Sequence, residues 1–180
     1  NIPMQTYKYL LFLSLIGSLG LNSCSVQKPN TDKTLDIGVP YQGGIVFYLF
    51  QEGDIRYVTG EWHGLIVAPS DQSTEVEWGC YGTRIKGANR TAIGTGAQNT
   101  LAILADCSEA GIAARVCDEL VLEGYDDWFL PSKDELNLLY LNKDAISSFG
   151  NFYYWSSTEY GGFNGWGQDF FSGYQYGNFD

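Results

Sequence analysis

Few side chains in this chain have the types and spacing that catalysis requires. The single histidine, His63, stands at the start of a predicted strand, and no Ser-His-Asp set can be argued around it. Gly94 and Gly96 precede a predicted helix, but the motif lacks the Lys and Ser/Thr of a phosphate loop and the third glycine of a dinucleotide loop. We therefore expect no enzymatic activity and no nucleotide cofactor.

The acidic residues have a structural interpretation as well. Asp126 and Asp127, with Asp134 and Glu135, could form paired carboxylates or a calcium site, but no D-x-D-x-D-G loop is present. Turn formation and helix capping account for them better. Glu159 follows "WSST", and we favour a hydrogen-bonding support role over a cation ligand. Because the sequence also lacks a CxxC pair or a Cys/His cluster, we predict no metal site and no cofactor.

The last twenty residues have the composition of a binding surface. Seventeen of the twenty residues in 161–180 are Gly, Phe, Tyr, Asn, Asp or Ser. Tyrosine supplies contact area at a low entropy cost, and small polar residues adapt to many shapes, so binding loops use this alphabet. Structural packing of a hairpin is the alternative for its aromatic residues.

A strand period of two sorts these residues into two faces. Trp166, Gln168 and Phe170 fall on the face that we expect to pack on the core. Gly167, Asp169 and Phe171 fall on the opposite face, which we expect to be the binding surface. Gly173 allows a turn before a returning strand.

The elements that position this hairpin can be predicted from periodicity. An apolar strand covers 43–50, and a second strand runs through "RYVTG" and "HGLIVAP" to Pro69. Helical spacing relates Leu101 to Leu104 and Ala105 on the first helix. The second helix should turn Ile112, Val116, Leu120 and Val121 inward and end at Gly124. Ser132 and Glu135 form a capping box that starts a third helix, and "FYYWSSTEY" is a strand.

Composition limits the class of protein and its partners. The chain has 180 residues, 16% of them aromatic, and a formal net charge of −11. This charge argues against nucleic acid and anionic membrane surfaces as partners. The pattern of elements predicts an α+β fold: a small twisted, mostly antiparallel sheet with two to three helices and long loops.

The N-terminal segment is expected to direct export. Residues 1–23 combine one basic residue with a short apolar run, as a secretory signal does. "LNSC" is similar to a bacterial lipoprotein cleavage box, which makes Cys24 the lipidated residue; a plain secretory signal is the alternative. Residues 24–37 form a polar tether, and 38–180 form the domain, with 151–180 as its ligand-binding region.

Export permits disulfides, and three cysteines remain after Cys24. Cys80 with Cys107 is the preferred bridge. Cys117 lies on an apolar helical face, and we expect it to be buried.

Five blocks of sequence occur in the order found in a known fold. "GGIVFYL", "HGLIVAPSDQS", "AIGTGAQNT", "GYDDWFLPSKDELNLLY" and "YWSSTEY", within about residues 38–176, resemble bacterial C-type-lectin-like domains. The similarity is to the C-terminal domain of the Lcl collagen-like adhesins, a relative of the formylglycine-generating-enzyme fold. The C-terminal region resembles more closely the variable proteins of diversity-generating retroelements. Their variable region is rewritten at template adenines, and mutated Asn codons yield the residue types enriched here.

The resemblance implies roles for individual residues. The fixed framework of such regions maps to residues in the last two blocks and in the C-terminal stretch: Trp128, Pro131, Trp155, Trp166, Gln168 and Phe170. The implied diversified, ligand-binding positions are other residues of 161–178: Gly161, Gly162, Phe163, Asn164, Gly167, Asp169, Phe171, Ser172, Tyr174, Tyr176, Gly177 and Asn178.

The resemblance also implies a function without catalysis. The expected protein is an exported, lipid-anchored binder whose C-terminal face engages a cell-surface protein or glycan. The alternative is an adhesin of the same fold with fixed specificity for a carbohydrate or glycosaminoglycan. The oxidase cysteine pair of the formylglycine-generating enzymes and the sugar-calcium signatures of animal lectins are missing from the sequence. A final strand with an Arg-rich motif is also missing, so the resemblance implies a C-terminally truncated domain.

Overall fold

A computed structural model describes residues 7–8, 12–14, 35–146, 149–162 and 164–177 of the chain. Its strands are β1 (Tyr7–Lys8), β2 (Phe12–Ser14), β3 (Pro40–Tyr41), β4 (Gly44–Leu49), β5 (Gly64–Val67), β6 (Tyr153–Tyr160), β7 (Asn164–Asp169) and β8 (Gln175–Tyr176). Its helices are α1 (Gly96–Asp106), α2 (Ala113–Asp118), α3 (Lys133–Leu141) and α4 (Lys143–Ile146).

The strands form two small sheets. In the first, with the order β1-β6-β7-β8, the strands β6, β7 and β8 are antiparallel and β1 lies parallel to β6. In the second, with the order β2-β5-β4-β3, all neighbours are antiparallel. The predicted α+β class with mostly antiparallel pairing is confirmed, but the described residues form two sheets, not one, and four helices, not two to three.

Strands β4 and β5 are buried on both faces. Val46 and Ile66 belong to a core cluster that contains Ile103 of α1, whereas the adjacent Phe47 belongs to a second cluster that contains Leu136 of α3. A strand covered on both faces needs apolar residues at every position, not at alternate ones. This explains the uninterrupted apolar run in 43–50.

Two predicted elements differ in extent. Strand β5 covers only Gly64–Val67, because residues 51–63 turn repeatedly, with Gly53 and Gly60 in the left-handed region (φ 102° and 82°). Helix α2 ends at Asp118, and Gly124 instead serves a separate turn between Leu122 and Tyr125.

The orientation of α1 differs from the one that its apolar spacing suggests. Leu101, which shares the apolar face with Leu104 and Ala105, is 63% exposed, whereas Asn99 and Thr100 are buried. The cause is hydrogen bonding: the Asn99 amide donates to the Arg90 carbonyl, and the Thr100 hydroxyl donates to the Leu130 carbonyl. Buried loop carbonyls require donors, so polar residues take the inward positions. Around α2, Cys117 and the N-cap residue Ile112 are buried, as Ile112 was predicted to be. Val116 and Leu120 are only half-buried, and Val121, also expected to face inward, is 61% exposed.

A disulfide joins Cys80 to Cys107, with 5.5 Å between their Cα atoms, which is the pairing favoured from the sequence. It links the loop before α1 to the end of that helix. Cys117 is fully buried and is not part of the disulfide, and burial raises the pKa of its thiol well above its ordinary value. A thiol with a raised pKa and no access to solvent is unreactive, so Cys117 serves packing.

The predicted export segment, residues 1–23, contains β1 and β2, while Cys24 lies outside the described residues. Lipidation and the boundaries at residues 23 and 37 therefore stay predictions. None of the helices in the described part of the chain combines the length and apolar character needed to cross a membrane.

A buried carboxylate organises the N-terminal ends of two helices. The Glu135 side chain is fully buried, and its Oε2 accepts the Ser132 N–H at 2.7 Å, completing the predicted capping box of α3. Its Oε1 accepts the Gly94 N–H at 2.7 Å, and the Gly96 N–H, at the start of α1, also donates to it. The glycine pair that resembled part of a phosphate loop therefore holds an anion that belongs to the protein itself.

Close approach explains the glycine at the start of α1. A Cβ on Gly96 would lie only 2.3 Å from Glu135 Oε2 and 2.8 Å from the Ser132 nitrogen. No side chain fits there while the carboxylate keeps its position. The positive ends of both helix dipoles then favour the negative charge.

Glu135 should make stability depend on pH. Burial raises the pKa of Glu135 above its ordinary value of 4.5, although backbone hydrogen bonds oppose the shift. The folded state thus holds the proton more tightly than the unfolded state, so the contribution of Glu135 falls as pH rises from about 4.5 through the folded pKa. Glu135→Gln cannot titrate, and it turns an amide N–H towards one backbone donor.

We expect Glu135→Gln to lower the free energy of unfolding by about 1–3 kcal/mol. The deficit should be largest near pH 4 and should shrink towards about pH 8. Urea unfolding of both proteins across this range measures it, with the exposed Glu119→Gln as the matched control. A deficit that grows with pH would contradict the raised pKa.

Candidate functional site

One face of strand β7 is fixed by helix α3. The Lys133 ammonium lies 3.7 Å from the centre of the Trp166 ring, Asn137 Oδ1 accepts the Gln168 amide N–H at 2.9 Å, and Tyr140 packs edge-on against Phe170 at 5.6 Å. The helix residues are spaced i, i+4, i+7 and the strand residues i, i+2, i+4. The two periodicities therefore match along one line of contact.

Buried amides connect the hairpin to the helix. Gln168 is fully buried, and its Nε2 also donates to the Gly173 carbonyl at 3.0 Å. Gln175, its partner across the β7–β8 ladder, donates its amide to the Lys133 carbonyl at 2.9 Å. A buried amide that loses its partners costs free energy, so these bonds specify the register of the hairpin.

The opposite face carries a cluster of tyrosines, Tyr153, Tyr174 and Tyr176. The ring centres of Tyr174 and Tyr176 are 4.4 Å apart, and those of Tyr153 and Tyr176 are 5.9 Å apart. Tyr174 is 62% exposed, and Phe171, in the turn beside the cluster, is 74% exposed. The loss of hydration, followed by the neighbouring Tyr153 and Asp169, raises the pKa of Tyr176 above its ordinary value. We call these four aromatic residues, with Ser172, the outward face.

The turn of this face is held by Asp169. Its carboxylate accepts the backbone N–H of Phe171 at 2.9 Å and the hydroxyl of Ser172 at 2.6 Å. Gly173 completes the turn with φ 80°, and a Cβ there would lie 2.5 Å from the Tyr140 ring. Asp169 was expected on the binding surface, but its side chain is turned inward to hold the turn and only 8% of the residue is exposed.

The other predicted binding residues differ in how far they are exposed. Phe171, Ser172 and Tyr174 are exposed, and Tyr176 and Asn164 are half-buried. Gly161 is exposed and Gly162 half-buried, but with φ 66° and 83° both have turn conformations that side chains rarely adopt. Gly167 and Gly177 are buried, which contradicts their expected exposure, and Phe163 and Asn178 lie outside the described residues.

Gly177 is buried because an aromatic ring covers it. A Cβ at this position would lie 2.3 Å from the Tyr160 ring, which also packs edge-on against Trp166 at 4.9 Å. Gly165 has the same relation to Trp78, with 2.0 Å to the indole nitrogen. Exchange of either glycine for a larger residue would displace a ring, so both act in packing.

Most predicted framework residues are buried. Trp128, Pro131, Trp155, Gln168 and Phe170 lie in the interior. Trp166 differs, because it is half-buried at the margin of the α3 contact and not in the core. Its loss should therefore cost less than the removal of a fully buried tryptophan.

The residues considered for catalysis have structural partners. His63 Nε2 lies 2.9 Å from Glu61 Oε2 in an exposed turn. Glu159 accepts the Ile85 N–H at 2.8 Å, which is the support role favoured from the sequence. Among the described residues, potential metal ligands come together at Cys80, Cys107 and Glu109, where both sulfur atoms belong to the disulfide.

Sequence reasoning missed the helix half of the site. Lys133, Asn137 and Tyr140 were not predicted to contact the hairpin, although their spacing marks one face of α3. Tyr153 was assigned only to a strand, and its place in the outward face depends on pairing with Asp169 across β6 and β7.

No family model, curated protein or solved structure matches this chain.

The two adjacent phenylalanines test this division of the hairpin. Phe170 is fully buried and Phe171 is 74% exposed. We expect Phe170→Ala to lower the free energy of unfolding by about 3–5 kcal/mol, because it leaves a cavity in the core. Phe171→Ala, the matched control, should stay within about 0.5 kcal/mol of the wild type. Urea unfolding followed by tryptophan fluorescence measures both, and equal losses would contradict the assignment.

Proposed function

We propose that this chain is a non-enzymatic ligand-binding protein with a C-type-lectin-like fold, and that the outward face is its contact surface. The observation that carries the proposal is the contrast within one hairpin. Gln168 and Phe170 are fully buried against α3, whereas Phe171 and Tyr174 expose most of their surface. Tyr174 and Tyr176 also pack against each other on this surface, and a contiguous apolar patch, unlike a single exposed side chain, marks an interaction site.

The proposed mechanism is presentation on a rigid support. Aromatic side chains that are partly ordered before binding lose little entropy on contact, and tyrosine adds a hydroxyl donor to its apolar ring. Hydrogen bonds that the Asp169 carboxylate accepts hold the turn, and the Gln168 amide holds the strand beneath it. The residues of the outward face can therefore change while the backbone that carries them stays fixed.

The target we propose is a protein or glycan on a cell surface. Export and a lipid anchor at Cys24 would present the domain outside the membrane, with the anchor as its only membrane contact. The formal net charge of −11 disfavours nucleic acid.

Diversification of the outward face is the finer part of the proposal. Four of its five residues lie in 171–176. Phe171 and Tyr174 are exposed and open to exchange, whereas the Ser172 hydroxyl also donates to Asp169 in the turn. A neighbouring reverse transcriptase gene with a near-identical repeat that differs only at adenines would support it. If neither is present, an adhesin of fixed specificity becomes the better account.

Cell binding tests the contact surface. The labelled full chain is added to intact cells of several types, and binding is measured by flow cytometry. The triple variant Phe171→Ser, Tyr174→Ser, Tyr176→Ser should lose binding by about tenfold or more, because aromatic residues at the centre of an interface carry much of its energy.

A matched control removes the same number of exposed apolar side chains elsewhere. Leu101, Val121 and Leu141 are 63%, 61% and 65% exposed, and all three are changed to Ser. This control should bind as the wild type does. Equal binding by the two triple variants would contradict the proposal.

A further inference from the structure

The positive charges of the domain are nearly all used internally. After residue 34 the chain has seven Lys and Arg residues against its formal net charge of −11. Five of them direct their charge to a carbonyl or an aromatic ring: Arg56 to Gly94, Arg90 to Gly87, Arg115 to Cys107, Lys143 to Phe170, and Lys133 to the ring of Trp166.

Arg84 and Lys86 are the exceptions. Both side chains are exposed, and neither forms a hydrogen bond or ion pair within the described residues. They line the same cavity of about 300 Å³, together with Asn89 and Glu159. This volume is at the lower end of the range for small-molecule sites. In an acidic protein, two cations without partners at one cavity form a local site for an anion.

The loop that carries these cations is held rigidly. Ile85 and Ala88 are buried, and Glu159 binds the loop twice, through its carboxylate to the Ile85 N–H and through its own N–H to the Ala88 carbonyl. The Lys86 N–H donates to Asp106 Oδ2 at 2.8 Å. A fixed backbone lowers the entropy lost when the cations engage a ligand.

The remaining lining residues restrict the kind of anion. Glu159 disfavours a negative group placed next to it, but it can accept hydrogen bonds from hydroxyl groups, and the Asn89 amide can both donate and accept. A ligand that suits all four side chains carries one negative group and several hydroxyls. We propose that this cavity binds a carboxylate-bearing sugar unit, with its carboxylate on Arg84 and Lys86 and its hydroxyls on Asn89 and Glu159.

The cavity borders the hairpin but is separate from the outward face. A Cβ placed on Gly162 would lie 3.6 Å from Arg84 Cβ, so the arginine stem packs beside the β6–β7 turn. None of the lining residues belongs to 161–180. The inference does not depend on the proposed function, because it concerns different side chains and a different test.

The test uses three small probes and the isotopically labelled full chain. Glucuronate, glucose and acetate are each titrated, and backbone amide shifts are followed by NMR. Glucuronate should shift the amides of the loop at residues 84–89, and glucose, which lacks the carboxylate, should bind at least about tenfold more weakly, as expected when a hydrogen bond to a charged group is lost. Acetate, which lacks the hydroxyls, should also bind more weakly.

Substitutions of Arg84 and Lys86 test whether these cations bind the carboxylate of glucuronate. Arg84→Gln and Lys86→Gln should each weaken glucuronate binding by about tenfold, Arg84→Lys should keep most of it, and added salt should weaken it. Both residues are exposed, so unchanged melting temperatures are expected and should be checked. The proposal is overturned if no loop amide shifts, if acetate or glucose binds as tightly as glucuronate, or if the Gln variants bind as the wild type does.

Discussion

The structure depends on one buried carboxylate. Glu135 caps α3 through Ser132, and it receives the backbone N–H groups of Gly94 and Gly96 at the start of α1. A buried carboxyl group is stabilised only when hydrogen-bond partners surround it, and here the N-terminal ends of two helices supply the donors. The shared side chain thus fixes the positions of α1 and α3 relative to each other.

The position of α3 then decides what the C-terminal hairpin exposes. The helix contacts β7 through Lys133, Asn137 and Tyr140, which hold Trp166, Gln168 and Phe170. Because neighbouring strand residues point to opposite faces, this contact turns a second set of residues away from the helix. The outward face lies on the side of the hairpin that is turned away from α3, and most of its residues belong to the turn between β7 and β8.

Local chemistry made part of this predictable from the sequence. The capping box and the apolar run of β4 each depend on residues close in the chain, and each is present in the structure. The alternation in β7 predicted which residues contact α3, but not exposure on the other face, where Gly167 and Asp169 are buried. The orientation of α1 could not be predicted, because loop carbonyls distant in sequence determine it. Likewise, alternation alone did not reveal that Asp169 turns back to hold its own turn, or that Tyr160 covers Gly177.

The most direct measurement compares two libraries of the full chain displayed on cells. One library randomises Phe171, Tyr174 and Tyr176, and the other randomises Tyr154, Gln168 and Phe170. Resistance to protease reports the folded fraction of each. If the hairpin combines a fixed support with an exchangeable face, most members of the first library should resist as the wild type does, and few of the second should. Equal resistance in the two libraries would contradict this account.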